Sequence, residues 1–243
     1  DVVIVVAFGQ ILSTDFLSIP GICSLNLHPS LLPRYRGAAP IPWAIIRGDR
    51  ETGVTVQRIE EGIDEGMVVS QERIRIGPED TSGDVGERLS LVGAGLLLRT
   101  IQMIKEGSAK YTSQDEEQAS DAPKIGKDDG LIEWEKFSCD VHNLVRGLNP
   151  YPGAFPFVRL RERKVKVKIW QTELVKEELS YKKKARPGEV VEIRKGEGLL
   201  VKAREGVLLV RRVQLAGRSQ ISGYDFVKGY QIKKGFMLGK GSG

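Results

Sequence analysis

The sequence predicts an α/β domain with a mostly parallel sheet, followed by a small β-barrel of the oligonucleotide-binding type. Over the first 107 residues, apolar strand-like runs alternate with helical segments across short connections, a pattern typical of doubly wound α/β domains. After residue 154, short apolar runs recur between glycines and charged turns, which favours a small barrel. Residues 1–122 hold 11 basic and 18 acidic side chains, whereas residues 123–243 hold 26 basic and 14 acidic ones. This asymmetry favours two separate domains.

The elements of the first domain, residues 1–107, follow from its apolar periodicity. Residues 1–7 form an almost continuous apolar run, which is typical of a strand buried on both faces of a parallel sheet. Ser13 or Thr14 is expected to cap a short helix that ends before Pro20. Further strands are predicted over residues 22–27, 53–59 and 67–76, a short helix over residues 42–47, and a long amphipathic helix from Thr81 or Ser82 to Lys105.

The second half of the chain begins with a polar stretch. Residues 108–127 are interrupted by Pro123 and are therefore predicted to form a linker. In the second domain, residues 128–243, Ser138 is expected to cap a helix over residues 139–148. Strands are predicted over residues 155–160, 165–174, 188–193, 199–202 and 207–214, and a last short helix from Ser222.

Composition disfavours several classes of protein. No apolar run approaches the length of a membrane-spanning helix, and no signal peptide opens the chain, so no membrane association is expected. Cys23 and Cys139 lie far apart, which predicts free thiols in a reducing compartment, the bacterial cytoplasm or an organellar matrix. No Cys/His cluster has the spacing of metal ligands, so no metal is expected.

The most informative stretch is residues 24–40, SLNLHPSLLPRYRGAAP. Asn26 and His28 lie two residues apart at the end of an apolar run, so they project from the same face of the predicted strand. Pro29 and Pro33 end that strand, which places both side chains where open α/β sheets hold their ligand sites. An amide can donate to a developing oxyanion, and an imidazole can move a proton near neutral pH.

This pair lacks a partner that could act as a nucleophile. No Ser or Cys lies in a nucleophile elbow, so the pattern predicts acyl transfer in which the substrate supplies the nucleophile. A third group should orient the imidazole. The candidate is Asp64, in an acidic loop that Gly62 and Gly66 allow to turn sharply. Taken alone, an Asn-x-His pair is more often the cap of a turn, and an acidic loop is more often solvated surface. The length of the motif favours the catalytic interpretation.

Basic clusters recur along the predicted barrel. Lys164, Lys166 and Lys168 alternate along one strand, which places them on one face. The other clusters are Arg159, Arg161 and Arg163; Lys182, Lys183, Lys184 and Arg186; Arg211 and Arg212; and Lys233 and Lys234. A single cluster is usually a solvated face. Several clusters on one barrel beside an acidic domain favour contact with an RNA backbone.

The motif from Asn26 to Ile41 resembles the signature of the 10-formyltetrahydrofolate-dependent formyltransferases. Residues 51–55 (ETGVT) and 62–66 (GIDEG) are similar to the next two blocks of that family, and residues 1–12 to the strand and loop that precede them. Residues 149–154 and 222–230 are similar to its C-terminal tRNA-binding domain. The resemblance therefore extends over essentially the whole chain.

The resemblance implies a partial Rossmann-like formyltransferase domain with a mostly parallel sheet, followed by an OB-like β-barrel domain. It assigns catalytic roles to Asn26, His28 and Asp64. It also implies three groups of folate-binding residues: the segment Ser30, Leu31, Leu32 and Pro33; the loop residues Phe8, Gly9, Ile11 and Leu12; and the main chain from Glu61 through Ile63 to Asp64.

The activity implied is transfer of the formyl group of 10-formyltetrahydrofolate to the α-amine of methionyl initiator tRNA, by a monomer without a metal. Two alternatives share the catalytic domain, a sugar-nucleotide N-formyltransferase and a formyltetrahydrofolate hydrolase. The basic barrel and residues 34–40 disfavour both. A third alternative is a catalytically incomplete tRNA-binding fragment, because the family's opening βαβαβ portion has no counterpart in residues 1–243.

Overall fold

A computed structural model describes residues 1–9, 12–161, 163–175 and 184–239. The chain divides into two compact units, the first made of residues 1–45 and 49–125, and the second of residues 46–48 and 126–243. Ile11, predicted to lie in the pterin loop, and Lys182 and Lys183 of the basic clusters are outside the described residues.

The first unit holds a four-stranded sheet in the order β1 (Val2–Val6), β2 (Cys23–His28), β3 (Glu51–Arg58) and β4 (Val68–Arg75). The described sheet is mixed rather than mostly parallel, because only β1 and β2 pair in parallel, while β2 with β3 and β3 with β4 pair antiparallel. The connection from β3 to β4, residues 59–67, is too short for the crossover that a parallel pair requires.

The α-helices that the described part of this unit forms are α1 (Thr14–Leu17), α2 (Pro40–Ile46) and α3 (Ser82–Lys105). The predicted cap of α3 is confirmed. Thr81 and Asp84 form a reciprocal capping box that satisfies backbone donors at the helix start. The apolar face of α3 buries Val85, Leu89 and Leu96 in the core of the unit. This packing holds β2 and β3, the strands that carry the site.

The prediction that the first strand is buried on both faces is wrong for β1. Ile4 is 43% exposed and Val6 is 52% exposed. The strand lies at one edge of the described sheet, and α1, which follows it, buries none of its own residues. One face of β1 therefore stays accessible.

Residues 108–125, assigned from sequence to a linker, belong instead to the first unit. We call residues 112–122 the strap. At its start, the amides and carbonyls of Val68 and Thr112 exchange two hydrogen bonds of 2.9 Å. At its end, the Arg36 amide donates to Ser120 O (2.8 Å) and the Ala122 amide donates to Arg36 O (2.7 Å). Backbone pairing, rather than an apolar pattern, attaches this polar segment, so the sequence did not indicate it.

The second unit holds a seven-stranded sheet in which every described pair is antiparallel. Its strands are β5 (Phe157–Leu160), β6 (Arg163–Leu174), β7 (Val190–Arg194), β8 (Gly198–Lys202), β9 (Val207–Leu215), β10 (Ile221–Ser222) and β11 (Leu238–Gly239). The order is β11-β5-β6-β9-β8-β7, with β10 beside β9. Irregular register between β6 and β9 and between β7 and β8 increases the local bend and twist.

Among its described residues, the second unit also forms the α-helices α4 (Ser138–Gly147) and α5 (Gly223–Tyr230). Ser222 caps α5 as predicted, because its hydroxyl accepts from the Asp225 amide. Ser138 does not cap α4. Phe137 occupies the cap position, and the Ser138 amide donates to Glu205 O at 3.0 Å. Among the described residues, no helix combines the length and apolar character needed to cross a membrane.

Candidate active site

A cavity of about 610 Å³ opens at the end of β2 in the first unit. Asn26 and His28 both line it, and in the antiparallel register they lie opposite Gln57 and Thr55 of β3. One wall is the loop after β1 and another is the loop after β3. The volume lies within the range of pockets that hold small molecules of cofactor size.

The carboxylate of Asp64 connects the polar groups of this cavity. Its Oδ1 accepts from Asn26 Nδ2 (3.1 Å) and Gln57 Nε2 (2.8 Å). Its Oδ2 accepts from the Gly37 amide (2.9 Å) and lies 3.4 Å from His28 Nδ1. These three donors hold both oxygens of the Asp64 carboxylate in place beside the His28 ring. The structure thus brings together the three residues that the sequence assigned to catalysis.

The His28 ring forms a hydrogen bond with a main-chain carbonyl. Its Nε2 donates to Tyr35 O at 2.9 Å, and since a carbonyl only accepts, this bond places a proton on Nε2. The neutral ring then carries its lone pair on Nδ1, the nitrogen beside Asp64. Tyr35 adopts a left-handed backbone conformation with φ of 63°, which is uncommon for a side chain of this size.

Burial sets the protonation behaviour of His28, whose side chain is only 4% exposed. Desolvation lowers the pKa of His28 below its ordinary value, while the charge of Asp64 and the bond to Tyr35 O act in the opposite direction. Asp64 raises this pKa, but burial outweighs that contribution. His28 is therefore neutral near pH 7, as a proton acceptor must be.

The loop that carries Asp64 depends on backbone conformations that few residues adopt. Asp64 has a φ of 56°, in the left-handed region that Asp tolerates better than most side chains. At Gly66, a Cβ atom would stand 1.7 Å from Arg58 O, so only glycine allows the loop to return against β3. At the start of the loop, the Ile59 amide donates to Ser24 O at 2.8 Å.

The predicted pterin-loop residues flank this cavity. Phe8, Gly9 and Leu12 line one wall, and Glu61 and Ile63 line another. Phe8 is 55% exposed and Ile63 is 60% exposed, so both present apolar surface that a flat heteroaromatic ring could cover. These five predicted residues thus lie at one cavity.

The segment Ser30, Leu31, Leu32 and Pro33 is not among the residues that line the cavity. Ser30 is fully buried, and its hydroxyl donates to Arg34 O at 2.6 Å. Thr55 Oγ1 donates to Ser30 O (2.7 Å) and accepts from the Leu32 amide (3.2 Å). Leu31 packs over Gly53, where a Cβ atom would stand 2.4 Å from Leu31 Cδ2. This segment therefore forms a partly buried turn after β2, and Thr55 bonds it to β3.

Several polar residues of the site were not identified from sequence. Gln57 is 2% exposed, and the signal for it was available, because a polar residue interrupts an apolar strand there. Gly37 lies within the recognised motif, but its amide's bond to Asp64 spans 27 residues. Gln114 donates to the carbonyls of Asp64 and Gly66 from the strap, and a polar segment offered no signal for this role.

In the second unit, the three alternating lysines of β6 lie over aromatic rings. The ammonium of Lys164 is 4.7 Å from the centroid of Phe157, Lys166 is 3.2 Å from that of Phe155, and Lys168 is 5.1 Å from that of Trp170. Desolvation lowers the pKa of Lys166, and the neighbouring Lys168 acts in the same direction. We call these six residues the lysine–aromatic face.

In another basic cluster, Arg211 is paired with two glutamates of the protein. Arg211 Nη2 lies 2.7 Å from Glu173 Oε2 and 3.5 Å from Glu197 Oε2. Among the described residues, no group of three or more His, Cys, Asp or Glu side chains is arranged to hold a metal ion.

Comparison with known proteins relates both units to one family. Residues 1–101 match the Formyl transferase family, and residues 124–231 match the Formyl transferase, C-terminal domain family. The chain is 40% identical to methionyl-tRNA formyltransferase of Agathobacter rectalis over 218 residues, which covers 90% of this chain and 67% of that protein. It is 41% identical to methionyl-tRNA formyltransferase of Halothermothrix orenii, over 90% of this chain and 68% of that protein. The chain thus spans about two thirds of these relatives.

A similar fold occurs in a solved structure. The crystal structure of HypX from Aquifex aeolicus in complex with tetrahydrofolic acid matches with a TM-score of 0.69 and 20% identity. The match covers 95% of this chain and 39% of that one. At this identity the likeness concerns the fold.

Proposed function

The chain belongs to the formyl transferase family and, within it, to the methionyl-tRNA formyltransferases, and we propose from this premise how its own residues carry out the reaction. These enzymes transfer the formyl group of 10-formyltetrahydrofolate to the α-amine of methionine on initiator tRNA, before translation begins. The observation that carries the proposal is the Asp64 carboxylate, which joins Asn26, Gln57 and His28 at one cavity.

The attacking group comes from the substrate. The α-amine of methionine attacks the formyl carbon, and the carbonyl electron pair moves to the formyl oxygen, which becomes a tetrahedral oxyanion. Asn26 Nδ2 has two hydrogens, one of which bonds Asp64, and the other donates to this oxyanion. Because the amine itself is the nucleophile, no acyl intermediate forms on the enzyme.

His28 transfers the proton that this reaction releases. Its unprotonated Nδ1 takes the proton from the attacking amine, and the resulting imidazolium is stabilised by Asp64 Oδ2, which lies 3.4 Å away. Collapse of the tetrahedral intermediate breaks the bond from the formyl carbon to N10 of the folate. His28 returns the proton to N10, so the enzyme ends each cycle in its starting state.

We assign the folate to the cavity in the first unit. Its pterin ring fits between Phe8, Gly9 and Leu12 and the main chain from Glu61 to Asp64. The position of Ser30, Leu31, Leu32 and Pro33 behind the cavity supports a different role from the direct contact implied by the resemblance. These four residues hold His28 and Thr55 in register, and they reach the folate only indirectly.

We assign the tRNA to the lysine–aromatic face of the second unit. Ammonium groups neutralise phosphates, and the rings beneath them, buried at Phe155 and half-buried at Phe157 and Trp170, favour the positions of the lysines by cation–π contact. The curled antiparallel sheet supports an OB-like barrel as the scaffold. Cys23 and Cys139 are both unpaired, which supports a reducing cytoplasm as the location, and we expect a monomer.

The test supplies the purified chain with 10-formyltetrahydrofolate and one acceptor at a time. We expect formylmethionyl-tRNA, detected by mass spectrometry after release of the amino acid, with initiator methionyl-tRNA as acceptor. An amino-sugar nucleotide should remain unmodified, and folate should not be deformylated when the acceptor is omitted. Salt-dependent tRNA binding without formyl transfer would contradict the proposal and favour a tRNA-binding fragment.

A further inference from the structure

Gln114, near the start of the strap, contacts the loop that carries Asp64. We propose that Gln114, held in place by Arg36, is a positioning residue that fixes Asp64 for catalysis. This inference rests on the proposed function, because it names a further residue on which the same site depends.

The amide of Gln114 bonds the loop on both sides of Glu65. Its Nε2 donates to Asp64 O and to Gly66 O, both at 2.8 Å. These two bonds use both hydrogens of one amide nitrogen. They tie down the main chain of Asp64 itself, so the position of the catalytic carboxylate follows the position of Gln114.

Arg36 fixes the orientation of that amide. Its Nε and Nη2 donate to Gln114 Oε1 at 3.1 Å and 2.9 Å, and since a guanidinium only donates, the oxygen of Gln114 must face it. The nitrogen is thereby directed at the loop. Arg36 is 8% exposed and also donates to both carboxylate oxygens of Glu116, at 2.9 Å and 2.7 Å. The bond to Glu116 raises the pKa of Arg36, so the guanidinium stays charged.

Residues 36 and 37 thus act on Asp64 from two directions. Arg36 acts on its main chain through Gln114, and the Gly37 amide donates directly to Asp64 Oδ2 at 2.9 Å. Asp64 has a left-handed φ of 56°, and the adjacent Ile63 is 60% exposed. A loop with this conformation and exposure needs contacts from outside itself to keep one position.

The proposal predicts that a substitution at Gln114 lowers the rate of formyl transfer. Replacing Gln114 with Glu keeps the shape but removes both donors to the loop, which releases Asp64 from its position beside His28. A displacement of about 1 Å at a reacting group can lower a rate by about 100-fold. We therefore expect Gln114→Glu to lower kcat/KM by about 10-fold to 100-fold, chiefly in kcat.

The first experiment is a double-mutant cycle on the full chain. Gln114→Glu is measured alone and in an Asp64→Asn background, under single-turnover conditions with initiator methionyl-tRNA. If Gln114 acts through Asp64, its effect should shrink to less than about threefold in that background. Equal losses in both backgrounds would overturn the proposal, as would a Gln114→Glu enzyme with the wild-type rate.

The matched control is Gln118→Glu in the same strap. Gln118 is exposed, and its amide donates to Asp115 Oδ2 at 2.7 Å, away from the loop. This variant should keep transfer within about threefold of wild type, as surface changes usually do. A loss as large as that of Gln114→Glu would mean that charge in the strap, rather than the bonds to the loop, is responsible, and would overturn the proposal.

A second measurement separates this inference from the proposed function. Hydrogen–deuterium exchange of residues 60–66 is followed in the full chain without substrate. Gln114→Glu should accelerate exchange there by about 10-fold, while Gln118→Glu should not. If the wild-type chain transfers no formyl group, the proposed function fails, and exchange alone decides whether Gln114 holds the loop. Unchanged exchange in Gln114→Glu would overturn the proposal in either case.

Discussion

In the first unit, a single carboxylate accepts from Asn26, Gln57 and the Gly37 amide beside a buried histidine, whereas in the second unit Lys164, Lys166 and Lys168 each lie over an aromatic ring. The first arrangement depends on a few atoms at defined distances, so the loss of one of them should strongly lower the rate of transfer. The second depends on the summed charge of several side chains, so each lysine should contribute only a fraction of the affinity for tRNA. Changes in the two units should therefore differ in size and in kind.

The largest effect is expected at the catalytic side chains. His28→Ala and Asp64→Ala should each lower formyl transfer by about 100-fold to 10,000-fold, because a positioned acid or base contributes about that much. Single-turnover transfer and the melting temperature of each variant test this. The control is Glu87→Ala, an exposed acid on α3. Near-normal transfer by either variant in a folded protein would contradict the assigned roles.

The next largest effect is expected from the loop backbone. In Gly66→Ala the new Cβ atom would meet Arg58 O at 1.7 Å, which forces the loop and Asp64 to move. Transfer should fall by about 100-fold, whereas tRNA affinity, a property we assign to the second unit, should stay unchanged. The matched control is Gly95→Ala in α3, where the nearest atom is the flexible end of Arg99 at 3.4 Å. If both variants lost formyl transfer equally, displacement of the loop that carries Asp64 would not be the reason for the loss in Gly66→Ala.

A smaller, graded effect is expected from pH. His28 must be neutral to accept a proton, and burial lowers its pKa below 6.5. As pH falls through that pKa, His28 becomes protonated and kcat/KM should fall by about tenfold per unit. Rates measured between about pH 5 and pH 8 locate this limb. If kcat/KM instead begins to fall at a pH above 6.5, the charge of Asp64 raises the pKa of His28 more than burial lowers it, which would contradict this prediction.

The smallest single effects are expected on the lysine–aromatic face. Lys164→Ala, Lys166→Ala or Lys168→Ala should each weaken tRNA binding by about 10-fold or less and reduce the salt dependence by about one phosphate contact. At saturating tRNA, kcat should stay unchanged. Binding titrations at several salt concentrations test this, with Lys105→Ala in the first unit as control. A variant that lowers kcat instead would place its lysine in the catalytic machinery and break the contrast between the units.

Local signals in the sequence predicted many elements correctly. Thr81 and Asp84 form their capping box within one turn of helix, so their spacing was sufficient. Asn26 and His28 share a face because they are two residues apart on β2. Contacts over long separations were harder to predict. The mixed order of the first sheet, the exposure of Ile4 on β1 and the attachment of the strap all depend on segments that meet only after folding.

The sequence by itself determined the family, the chemistry of an amide, an imidazole and a carboxylate, and the contrast between an acidic and a basic half, because residue types and short spacings carry that information. Only the tertiary structure decided how the site is held. Gln114 reaches Asp64 across 50 residues, and Gly37 reaches it across 27. The neutral state of His28 likewise follows from burial, which outweighs the opposite effects of Asp64 and Tyr35 O on its pKa, since desolvation exists only when the chain has folded around the ring.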